Sequence, residues 1–349
     1  MKQTHFLIDD VRIIYSDNNN PHKVLWSLFD MYGNLLEREP KEYDHTHMLA
    51  LTKDNEVIEE LYLGKDRSFL YREIIPNIQE TNKNYFIEKA YIIYSIWGCA
   101  FHHFVMELLP NIYYYKQNLL PLEYKIIVPS YNNVIAESLK LYDIPQEAII
   151  YLESDATYNI KEASYSTPLC DGSTFTSQIN AFKELRRKVI ENISNTTNSN
   201  INERLYITRH DVPSGLWNNN GGGSTRRIDN EQDIIDYLRL NKYDVCSVGS
   251  KTFIEKAELL QNTKIVISPY GGNIFNCIFA KNLKIIIMLV PEDTDGGVNM
   301  MHDRMIKKII PEIEIYHIIG KNTSNDQDPG KNRYIINIED IKESIYLQY

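Results

Sequence analysis

Residues 265–279 read IVISPYGGNIFNCIF, and this stretch decides the fold class. An apolar run of strand length ends at Ser268-Pro269. Gly271 and Gly272 follow, where the backbone is free to turn tightly. The next segment, NIFNCIFA, predicts a helix, and KIIIMLVP (284–291) predicts another buried strand. Strand, glycine turn, helix and strand in that order describe an α/β unit with parallel strands. Working back towards the N-terminus, the same alternation holds. RLYITR (204–209) reads as a strand and NEQDIIDYLRLNKY (230–243) as a helix with acidic residues in its first turn, as the helix dipole favours. DVCSV is a strand and FIEKAELLQNT a helix. The pattern is that of a doubly wound sheet, whose ligands bind at the carboxyl ends of the strands.

The first half repeats the logic less regularly. Residues 1 to about 95 predict short strands and turns, with a hairpin signal in IIYSDNNNPHKVLWSLFD. Residues 102–120 are apolar at helical spacing, KIIVPS (125–130) is a strand, NNVIAESLKLYDI a helix and AIIYL a strand, which again implies parallel pairing. SQINAFKELRRKVIENI (177–193) is an amphipathic helix, and the polar stretch SNTTNSNINE (194–203) is the best linker candidate. The expectation is an α/β chain of two Rossmann-like domains with a cleft between them, residues 1–195 on the acceptor side and 196–349 on the donor side.

Bulk properties narrow the classes. With 349 residues, two domains are expected, and 43% hydrophobic residues allow each its own core. The net charge is −10 and no long Lys/Arg run occurs, which speaks against a nucleic-acid partner. The four cysteines, Cys99, Cys170, Cys246 and Cys277, are widely spaced without a CxxC pair, which argues against a zinc site and a disulfide scaffold. The N-terminal MKQTHFLIDDVRIIY lacks an apolar core, so no signal peptide is expected, and no apolar run reaches the length of a membrane span. The expected location is cytoplasmic, or peripheral to the inner face of the membrane.

Three constellations can carry chemistry. The Gly271-Gly272 junction offers free N–H groups beside a helix start, an arrangement suited to a diphosphate, although turn geometry alone also explains paired glycines. Arg209 ends one strand, while Arg226 and Arg227 precede the helix near Asn230. The guanidinium fork suits phosphate oxygens. The other reading of each Arg is a solvated side chain or an ion pair with Glu231 or Asp229. The loop between them, rich in Gly and Asn, is placed to close over a ligand. In FHHFVMELLP (101–110), His103 and Glu107 stand four apart on one helix face, a general-base pair or an ordinary hydrogen-bonded pair.

Together these segments resemble glycosyltransferase family 61. His103-Phe104-Val105-Met106-Glu107-Leu108-Leu109-Pro110 is similar to the family's His-aromatic-x-x-acid-x-x-Pro. Arg204-Leu205-Tyr206-Ile207-Thr208-Arg209 is similar to its Arg-x-Tyr-x-Ser/Thr-Arg, and Arg226-Arg227-Ile228-Asp229-Asn230-Glu231 to its next element. Pro269-Tyr270-Gly271-Gly272-Asn273-Ile274-Phe275-Asn276 matches its glycine motif, with Tyr270 where the family usually has His; Lys256 likewise replaces a usual Gln. Order and spacing agree over about residues 95–320. The resemblance implies a GT-B-like fold and an inverting transfer from a nucleotide sugar, here taken as a UDP-sugar, to a glycan hydroxyl. It implies Glu107 and His103 as catalytic residues. As donor-binding residues it implies Arg209, Arg226, Arg227, Glu231, Tyr270, Gly271, Gly272, Asn273 and Asn276. Surface-polysaccharide synthesis is the implied context.

No metal is expected to be needed. Asp293-Thr294-Asp295 fits the Asp-x-Asp pattern of metal-using transferases, but its Gly-rich flank reads as a turn, and the arginines can supply the charge. His45 and His47 are a loop pair and weak as metal ligands. The competing readings are another transferase of nucleotide-activated groups and a catalytically silent glycan- or nucleotide-binding module.

Overall fold

The computed structural model describes residues 5–16, 47–54, 58, 83–93, 104, 108–128, 133–153, 156–166, 176–193, 203–209, 227–249, 251–292, 296–324 and 333–346. They divide into two compact units, one through Ala181 and one from Phe182. No described helix is long and apolar enough to cross a membrane.

The first unit is a six-stranded sheet. Its strands are β1 (His5–Ser16), β2 (His47–Leu51), β3 (Lys83–Ile92), β4 (Lys125–Val128), β5 (Ile149–Tyr151) and β6 (Ala156–Ser166), in the order β2-β1-β6-β3-β4-β5. The expected parallel sheet is only part of it. β6, β3, β4 and β5 are parallel, whereas β1 pairs antiparallel with both β2 and β6. β1 and β6 run alongside each other from His5↔Ser166 to Tyr15↔Ala156, so a long edge ribbon extends the βαβ core. Helices α1 (Leu109–Asn118) and α2 (Asn133–Leu141) supply the crossovers around β4. Of the helix expected over 102–120, the described residues give α1 from Leu109 to Asn118, with Pro110 in its first turn, where its missing N–H costs nothing. Helix α3 (Thr176–Asn192) spans the division between the units.

The second unit is a seven-stranded sheet. It contains β7 (Arg204–Ile207), β8 (Arg227–Ile228), β9 (Asp244–Cys246), β10 (Ile265–Pro269), β11 (Ile285–Pro291), β12 (Glu314–Asn322) and β13 (Arg333–Ile335). The order is β8-β13-β12-β11-β10-β7-β9. The five strands β9-β7-β10-β11-β12 are all parallel, as the doubly wound pattern requires. The side chains of the central strands β7, β10 and β11 are buried almost without a break, and β11 is exposed at none of its seven residues. That is the signature of a sheet covered on both faces. The helices are α4 (Glu231–Leu240), α5 (Phe253–Leu260), α6 (Gly296–Ile309) and α7 (Ile338–Tyr346). α5 begins with a capping box, in which Thr252 Oγ1 accepts from the Glu255 N–H and Glu255 Oε2 accepts from the Thr252 N–H.

The far end of this sheet curls back. β13 leaves β12 antiparallel and pairs with β8 in parallel, yet Ile228 of β8 and Tyr334 of β13 share one core with Tyr206 of β7. Asn230 locks the curl, because its amide donates to the Ile336 carbonyl at 2.8 Å and accepts from the Ile336 N–H at 3.1 Å. Asp229 takes Arg333 at 2.6 Å beside it.

Candidate active site

Chain order and sheet order together locate a site. From β7 the chain reaches β9 on one side and then, through α5, β10 on the other. Such a reversal leaves a crevice at the carboxyl ends of the two diverging strands, here β7 and β10.

Arg209 stands two residues beyond β7, and its Nη1 donates to the Tyr270 carbonyl, one residue beyond β10, at 3.0 Å. The guanidinium therefore spans the switch point. It passes so close to Gly271 that a Cβ there would lie 2.6 Å from Nη1. Gly271 also has φ +145°, a backbone conformation costing a side-chain-bearing residue roughly 1–3 kcal/mol. The backbone conformation favours glycine, and the close guanidinium would have to shift to admit a side chain. Arg209 is half-buried, so its charge is partly withdrawn from water.

Beneath Arg209 lies a buried polar cluster. Glu231, the first residue of α4, has Oε1 accepting from Tyr206 Oη and Thr208 Oγ1, both at 2.8 Å. Burial and the neighbouring Glu231 carboxylate push the Tyr206 hydroxyl well up, so it stays protonated and remains the donor. Glu231 thus ties the start of α4 to the end of β7, directly before Arg209. The resemblance put Glu231 among the donor-binding residues, and in the structure one of its oxygens holds the strand that carries Arg209.

The segment after the glycines is a 3₁₀ helix (Gly272–Phe279), not the α-helix the sequence predicts. The Ile274 N–H donates to the Gly271 carbonyl at 3.1 Å and Asn276 Nδ2 to the Asn273 carbonyl at 2.8 Å, both over three residues. These local bonds favour the tighter winding. Gly272 and Asn273 are partly exposed beside Gly271, whereas Asn276 is 2% exposed and Tyr270 3%. Arg186 of α3 bonds the Ile278 and Ala280 carbonyls at 2.8 and 3.1 Å, satisfying the far end of the 3₁₀ helix. That role has no signal in the sequence, because an Arg on an amphipathic helix reads as its solvated face.

Arg227 lies in β8 and is exposed. Lys256, 4% exposed in α5, has its ammonium 5.3 Å from the Phe253 ring centroid. His103, Glu107, Arg226, Asp293, Asp295 and His45 lie outside the described residues, as does the loop 210–226. Phe104 and Leu108, within the same segment as His103 and Glu107, are buried.

The model of the family described as Glycosyltransferase 61 matches residues 101–287, more than half of the chain. The chain belongs to glycosyltransferase family 61. The match takes in the His103/Glu107 segment and the whole Arg209–Gly271 arrangement. No curated protein matches this family 61 chain. As a glycosyltransferase it has a sugar donor and an acceptor.

Proposed function

We propose that the chain transfers a sugar, with inversion, from a nucleotide sugar, a UDP-sugar in the first instance, to a hydroxyl of a glycan. The observation that carries this reading is Arg209, held by the Tyr270 carbonyl over Gly271 at the sheet's switch point. The donor-side domain is residues 196–349 and the acceptor-side domain residues 1–195, in a GT-B-like fold. Arg209, with Arg226 and Arg227, neutralises the diphosphate, and the N–H groups after Gly271 solvate it. Asn273 lies beside that turn, and Asn276 holds it through the Asn273 carbonyl.

Glu107 takes the acceptor's hydroxyl proton. The freed oxygen attacks the anomeric carbon from the face opposite the diphosphate. The carbon–oxygen bond to the phosphate breaks as the new glycosidic bond forms, and the negative charge gathers on the leaving diphosphate beside Arg209. His103, one turn before Glu107, orients it. No metal is required in this scheme, since the arginines supply the charge. A cytoplasmic place at the inner membrane face and a part in surface-polysaccharide synthesis complete the reading.

The test is release and transfer of sugar across a panel of UDP-, GDP-, CDP- and ADP-linked donors. One donor should be turned over. A protein that binds a nucleotide but releases sugar from none of them would be a silent binding module. Transfer of a different activated group would make it another class of transferase.

A further inference from the structure

His302 lies beyond the stretch that the family model matches. It is 2% exposed on α6, and its ring lies against two others. The Tyr270 ring is 5.4 Å away at 46°, and the Phe275 ring is 4.9 Å away, edge-on at 86°. Phe275 in turn stacks on Phe182 of α3 at 6.0 Å and 19°. Tyr270 precedes the Gly271-Gly272 turn and Phe275 follows it. One imidazole therefore braces both flanks of the turn, and the turn has no side chains of its own to pack.

What the brace holds is functional. Tyr270 is fixed at its N–H by the Leu289 carbonyl, at 2.8 Å, and its own carbonyl receives Arg209. A shift of the Tyr270 ring moves that carbonyl, and the guanidinium that hangs on it moves too. The Cβ-free face of Gly271 gives the Arg209 guanidinium a close seat beside that carbonyl. Aromatic pairs are directional, so a ring at 302 sets the turn's position more narrowly than an aliphatic side chain does.

We infer that His302 is a positioning residue for the donor's diphosphate, acting through Tyr270 on Arg209. This rests on the reading of Arg209 as the diphosphate ligand. The experiment is a double-mutant cycle in the full chain. UDP, GDP, CDP and ADP are titrated calorimetrically, and the tightest binder is carried through every variant. Arg209→Ala should weaken it roughly 10- to 100-fold. His302→Ala should weaken it about tenfold, and His302→Leu, which keeps volume without a ring, should do the same. His302→Phe should restore binding. In an Arg209→Ala background, His302→Leu should have no further effect, because the residue it positions is gone. Donor KM should rise with kcat little changed.

The outcomes separate the two claims. Unchanged binding by Arg209→Ala overturns the diphosphate reading, and the His302 assignment falls with it. A weakened Arg209→Ala beside wild-type binding by a folded His302→Leu overturns the assignment alone, as does an additive double variant. Should His302→Ala fail to fold, His302→Leu and His302→Phe decide the matter.

Discussion

Each unit places a buried polar cluster at the carboxyl ends of parallel strands, and the two clusters differ in kind. In the first unit, Ser166 at the end of β6 donates to Asn111 Oδ1 at 2.6 Å, and the Tyr91 hydroxyl lies 3.1 Å from Ser166 Oγ and 3.3 Å from Asn111 Oδ1. All three residues are neutral and nearly inaccessible, and burial drives the Tyr91 hydroxyl far up, so it never ionises. In the second unit the corresponding strand ends carry a carboxylate, two hydroxyls and a half-buried guanidinium. A neutral buried network fixes a backbone. A charged one with a half-buried guanidinium is, under the proposed function, arranged around the donor's diphosphate. The first cluster anchors the start of α1, directly after the Glu107 segment, and the second anchors Arg209.

Four outcomes would break or sharpen that contrast. The largest effect belongs to the segment that the neutral cluster supports. Glu107→Gln should slow turnover by roughly 10²–10⁴ with nucleotide affinity intact, and His103→Asn should cost less. Steady-state rates beside calorimetric titration decide it, and a dead His103→Asn with an active Glu107→Gln would exchange the two roles. Next, Arg209→Ala should lose about 1.5–3 kcal/mol of nucleotide binding and Arg227→Ala less, because Arg227 is exposed. Equal losses would place both on the ligand. Third, Asn111→Ala should lower folding stability by about 1–3 kcal/mol, seen as a fall in melting temperature, and leave nucleotide affinity alone. A change in affinity would show that the neutral cluster is not mere scaffolding. Smallest of all, excess EDTA should leave turnover nearly unchanged. Loss of activity that Mn²⁺ restores would bring Asp293 and Asp295 in as ligands.

The legible parts of this molecule are those where one segment states its own environment. β7, β10 and β11 are short apolar runs that can only be buried strands, and the strand-end positions of Arg209 and Gly271 followed from them. The acidic first turn of α4 marked its start at Glu231. Less was legible where partners are far apart in sequence. Asn230 is legible only as the start of a helix, yet its amide is committed to Ile336. His302 has no motif about it, and nothing in one sequence says that its ring meets Tyr270. The antiparallel pairing of β1 with β6 joins segments some 150 residues apart, and local alternation is silent on that. The 3₁₀ helix was missed for the opposite reason. Its apolar spacing suits an α-helix, and side-chain bonds over three residues decided otherwise.

The curl of the second sheet has a kinetic consequence. The bond from Asn230 to Ile336 closes a separation of 106 residues, and Glu231, next along the chain, holds the strand before Arg209. Contacts of such separation form late, after the loop-closure entropy has been overcome. The parallel core from β7 to β12 can assemble first, but the setting of Arg209 is completed only when residues 333–336 return to Asn230. The slowest contacts of this unit to form are therefore those that lie beside Arg209's own strand.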